Sequence, residues 1–139
     1  MYTTIDEAKD LVWAFEDRTL ARSRWTHAAH LTVALWYLVH YPHPEATRRI
    51  RAGIQQYNAA NGIQTTPTGG YHETITLFWI DQVHQFLTDK GVNDFALETV
   101  NALLQTYADP NLPFLFYSGD RLLSWEARTT WVEPDLRNW

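Results

Sequence analysis

Arg24-Trp25-Thr26-His27-Ala28-Ala29-His30-Leu31-Thr32-Val33-Ala34-Leu35-Trp36-Tyr37-Leu38 is the most apolar run in the chain, and its reading decides the fold. Ser23 or Thr26 can cap a helix that runs to about His40, where Pro42 and Pro44 break it. A helix apolar on nearly every side is one that other helices must cover. His27 and His30 stand one turn apart at its start, so their side chains share a face. Two titratable, metal-capable rings at the mouth of a central core helix mark where a site lies.

Working outward, Thr4-Ile5-Asp6-Glu7 fits a capping box, and Ile5, Ala8, Val12 and Phe15 recur at helical spacing. The first helix therefore ends near Asp17. Its closing acids, Glu16 and Asp17, sit at the unfavourable end of the dipole, which calls for a cationic partner. On the other side, Pro44 opens a third helix with Ile50, Ile54 and Tyr57 inward, stopped at Asn61-Gly62. A polar loop, Gln64 to Gly70, leads to a fourth helix from about Tyr71 to Asp89, with His72, Thr76, Trp79, Val83 and Phe86 along one stripe. Gly91 stops it, and Asn93 or Asp94 caps a fifth helix reaching about Tyr107.

Asp109-Pro110 and Pro113 then force an extended passage, followed by short helical turns over 118–123 and 124–130 and an aromatic tail. No strand alternation is strong enough to make a sheet. The expected fold is all-α: a compact bundle of four to five helices, one domain over 1–139, with an irregular aromatic C-terminal wrap.

Composition narrows the function classes. The net charge of −5 speaks against nucleic acid as partner, since clustered cations drive that affinity. No cysteine is present, so thiolate metal sites, disulfides and Cys nucleophiles are excluded. The apolar run is too short and too interrupted to span a bilayer, and the acidic start, Asp6, Glu7 and Asp10, is wrong for a signal peptide. A cytoplasmic protein is expected.

In an up-and-down bundle with short connections, the second and fourth helices run the same way and the first runs opposite. Their ends then bring His27, His30, His72 and Glu16 together from three helices. Three imidazoles and a carboxylate are a ligand set for a divalent metal, zinc or iron, which would activate water or hold substrate. Glu73 and Tyr71 are the candidates for tuning the site or relaying protons. The fifth helix brings Tyr107 back to the same end.

A second reading of the region needs no metal. Arg18, Arg22 and Arg24 precede one helix N-terminus and a Thr/Gly loop precedes another, and such ends hold anions. With Trp25 and Thr76 they would line a small-molecule pocket. A third reading gives the histidines only hydrogen bonds in a buried polar layer of a binding or structural protein, here a homodimer.

Phe15-Glu16, Trp25-Thr26-His27-Ala28-Ala29-His30-Leu31, Tyr71-His72-Glu73-Thr74-Ile75-Thr76 and the closing Ala127-Arg128, Trp131 and Pro134-Asp135-Leu136 carry a resemblance that covers most of the chain. These segments look like those of a family of small all-helical bacterial proteins with no assigned activity. The resemblance implies a helical fold and no mechanism.

Overall fold

A computed structural model describes residues 1–139. Five longer helices carry the fold: α1 (Ile5–Glu16), α2 (His27–His40), α3 (His43–Ala60), α4 (Glu73–Lys90) and α5 (Leu97–Thr106). Two short ones follow, α6 (Gly119–Leu122) and α7 (Trp125–Thr129), and there is no strand. The fold is all-α. No helix is long and apolar enough to cross a membrane.

The helix boundaries follow from local chemistry. The Thr4 side chain accepts from the Glu7 N–H and the Glu7 carboxylate accepts from the Thr4 N–H, closing the capping box. Thr26, not Ser23, caps α2 through the Ala29 N–H. Gly91, at φ 64°, ends α4. Arg18 ends α1 in the same left-handed conformation, also at φ 64°, although it has a Cβ. Its N–H reaches the Phe15 carbonyl while the Thr19 N–H reaches that of Ala14, the paired bonds of a Schellman stop.

α2 is the central element, packed against α1, α3, α4 and α5. Leu31, Val33 and Leu35 are all but inaccessible to solvent, along with Phe15, Tyr57, Phe78 and Leu103 from four other helices. Burying side chains of this size stabilises the fold by about 1.5–3 kcal/mol each. The buried hydroxyls are all used: Tyr57 donates to the Leu20 carbonyl, and Thr32 donates to that of Ala28 while accepting from Tyr2.

The C-terminal wrap is pinned to the start of α4. Thr74 Oγ1 donates to the Thr130 carbonyl at 2.8 Å and accepts from the Val132 N–H at 3.2 Å. Tyr117 donates to the Val132 carbonyl at 2.8 Å. Trp131 and Trp139 then meet edge to face at 5.8 Å. This docking carries α7 across one end of the bundle.

Candidate functional site

A cavity of about 540 Å³ lies between α2, α3 and α4. Its deep walls include Val33, Ile50, Ile54 and Ile80. Thr68 and Pro110, both exposed, stand at its mouth with Gly69 and Gly70. The size is that of a small organic ligand.

His27, His30 and His72 all border this cavity, with Trp25, Tyr71 and Thr76. The three rings differ in what they offer. His72 is the N-cap of α4 instead of lying within it: Nδ1 accepts from the Ile75 N–H at 3.1 Å, and Nε2–H donates to the Leu122 carbonyl at 2.8 Å. Both nitrogens are therefore engaged, and burial followed by nearby Arg128 keeps its pKa below the ordinary value. His30 donates from Nδ1 to the Thr26 carbonyl at 2.7 Å, because a carbonyl only accepts. Its Nε2 is then a lone pair without a protein partner. Burial pushes its pKa down to about 4, so the ring is neutral at pH 7. His30 also stacks on Trp25 at 3.7 Å between centroids. His27 donates from Nε2 to the Tyr107 carbonyl at 2.7 Å and lies against Trp79.

Glu16 is elsewhere, which corrects the expected four-group cluster. It accepts from the Tyr37 hydroxyl at 2.6 Å and borders a separate groove with Arg18, Arg48 and Arg49. The reason is helical rotation: Phe15 takes the inward direction, stacked on Trp25 at 4.7 Å, and the next residue points about 100° away. No group of three or more His, Asp or Glu side chains is arranged to hold a metal ion. With His72 bonded at both nitrogens and Glu16 in another groove, the four expected ligands of a zinc or iron centre are not brought together.

Arg18, Arg22 and Arg24 also stand apart from the cavity; all are exposed, and Arg18 donates to Gln56. The 3-10 turn of Arg22–Arg24 turns them to solvent. Glu73 is committed as well. It pairs bidentately with Arg51, at 3.0 and 2.6 Å, and accepts from the Tyr71 hydroxyl at 2.5 Å. Tyr71 donates to Glu73, and its pKa is raised to about 12 by burial and then by Glu73. Thr76 donates to the His72 carbonyl. His40 is exposed and far along α2, while His43 meets His84 and Asp81 between α3 and α4.

The cation of the cavity is Arg128, which the spacing of the histidines does not indicate. The side chain is 7% exposed and borders the cavity from α7. Nη1 donates to the Gly70 carbonyl at 3.2 Å and the Tyr71 carbonyl at 3.3 Å, while Nε is buried with no partner. No carboxylate pairs with it, and burial alone lowers its pKa. Arginine nevertheless stays charged in proteins. One signal was present in the sequence: no acid stands three or four residues either side of Arg128, at Ser124, Trp125, Trp131 or Val132.

Gly70 fits this geometry for a backbone reason. Its φ is +83°, and a Cβ there would lie 2.3 Å from the Gln64 carbonyl oxygen. The glycine loop thus presents carbonyls to Arg128 instead of an N–H nest to an anion. Asn58 is the remaining polar wall, 8% exposed, with no hydrogen bond from its side chain.

Comparison with known protein families, with curated proteins and with solved structures yields no match to this chain.

Proposed function

We propose that the chain binds a small monocarboxylate with an apolar body in the cavity between α2, α3 and α4. The observation that carries this reading is the Arg128 guanidinium, buried at the cavity wall with no carboxylate to neutralise it. Taking an unpaired cation out of water costs on the order of several kcal/mol, and removing that cost is a source of binding energy for an anion. A single guanidinium neutralises a single negative charge, which favours a carboxylate over a phosphate dianion. His30 and His72 add no second cation, since His30 is neutral and His72 has both ring nitrogens bonded.

The apolar lining supplies the rest. Trp25 and Trp79 border the cavity, and Ile50, Ile54 and Ile75 give it an aliphatic floor. A body of roughly six to ten carbons fits a volume of this order. The reading is one of binding; no group at the cavity has the geometry of an activated nucleophile.

Thermal-shift measurements with phenylacetate, octanoate and their neutral amides test it. Stabilisation by the acids and not by the amides supports the reading. Equal stabilisation by both, or by neither, overturns it.

A further inference from the structure

The cavity wall holds unanswered acceptors as well as an unanswered cation. Among its polar atoms, His72 has both ring nitrogens bonded and Tyr71 and Thr76 donate to protein groups. His30 Nε2 has no protein partner, and its role is fixed: with Nδ1–H held by the Thr26 carbonyl, the neutral ring has only a lone pair there. The Trp25 face holds the ring's orientation, with centroids 3.7 Å apart. His27 Nδ1 also has no protein partner, while Nε2–H is spent on the Tyr107 carbonyl. The Asn58 side chain, nine-tenths buried, also makes no hydrogen bond. Leaving polar groups like these unpaired beside a ligand loses affinity, and a ligand that satisfies them is selected over one that does not.

Building on the carboxylate reading above, we infer that the ligand is a hydroxy acid whose hydroxyl donates to His30 Nε2 while its carboxylate meets Arg128. The apolar body between the two ends lies against Ile50, Ile54 and Ile75. The alternative use of His30, as a general base, is disfavoured by the same burial that makes it an acceptor. An imidazole with a pKa of about 4 is a weak proton acceptor at neutral pH, and efficient bases sit near the working pH. His30 therefore recognises a hydroxyl and leaves its proton in place.

The experiment is calorimetric titration of the wild-type chain with phenylacetate and with its 2-, 3- and 4-hydroxy isomers. The expected result is measurable binding of phenylacetate and about fivefold to tenfold tighter binding of at least one isomer. His30→Phe, which keeps a ring on Trp25 and removes the acceptor, should erase that gain, so that in the variant no isomer binds tighter than phenylacetate. If that variant does not fold, the ¹⁵N resonance of His30 Nε2 in the wild type serves instead. It should move on adding the preferred isomer and stay put with phenylacetate. Phenylacetate binding with no gain for any isomer overturns the hydroxyl inference and leaves the carboxylate reading standing. A gain that survives in His30→Phe also overturns it. No binding of any of the four acids overturns both.

Discussion

Arg128 donates to the carbonyl of Gly70, 58 residues earlier in the chain, at 3.2 Å. That bond joins the C-terminal wrap to the loop before α4 and fixes a guanidinium at the cavity wall. It satisfies the hydrogen-bonding of one nitrogen and leaves the charge uncompensated. A carbonyl partner of this kind holds an arginine in place without neutralising it.

Arg128→Met should therefore separate stability from binding. The variant loses two carbonyl contacts and also the desolvated charge, so the ligand-free fold should change by no more than about 1 kcal/mol. Urea midpoints check this. A loss of several kcal/mol would mean that the guanidinium is mainly a structural clasp.

Gly70→Ala should be severe. A left-handed φ and a 2.3 Å approach to the Gln64 oxygen leave no room for a methyl group. Destabilisation of about 2–4 kcal/mol is expected, with loss of carboxylate binding as the Arg128 acceptors move. Gly62→Ala, at φ +67° but in open space, should cost about 1 kcal/mol and leave binding intact.

Arg18→Gly should stabilise the protein by about 0.5–1 kcal/mol. The Schellman stop of α1 puts a Cβ-bearing residue at φ 64°, where glycine is at ease. The Gln56 contact it gives up is exposed. Thermal or urea denaturation reads the gain; a loss would mean that the side chain contributes more than its backbone costs.

Acid should destabilise the fold below about pH 6.5. His30 and His72 both have folded pKa values depressed by burial, so the unfolded chain binds protons first. The stability they provide is complete above the unfolded value near 6.5, and for His30 it is lost as pH falls toward about 4. The loss attributable to His30 is on the order of 2 kcal/mol between pH 7 and pH 4.5. Urea midpoints across that range, for wild type and His30→Gln, measure it. An equal pH dependence in the variant would mean that His30 does not contribute to the acid sensitivity.

The sequence was most legible where chemistry is local. The capping box at Thr4 and Glu7, the Gly91 stop and the proline break after α2 each appear at the positions that local rules require. The all-α class follows from them. His27, His30 and His72 reach one cavity because α2 and α4 do start at the same end of the bundle. What escaped was rotational and long-range. Glu16 differs from Phe15 by a single step of helical rotation, enough to put it in another groove. His72 fell one residue outside α4, and as a cap its ring is consumed by the helix it begins. Arg128 owes its place to bonds with Gly70 and Tyr71, more than fifty residues away, and no periodicity records such a pairing.

Calorimetric titration of phenylacetate against phenylacetamide, into wild type and Arg128→Met, tests whether Arg128 receives the carboxylate. The two probes share an apolar body and differ in charge. The wild type should prefer the acid by at least about tenfold, the order expected of a charge-assisted, largely desolvated contact. The variant should bind both weakly and alike. A wild type indifferent to the charge, or a preference that persists without Arg128, would mean that the guanidinium does not bind the carboxylate.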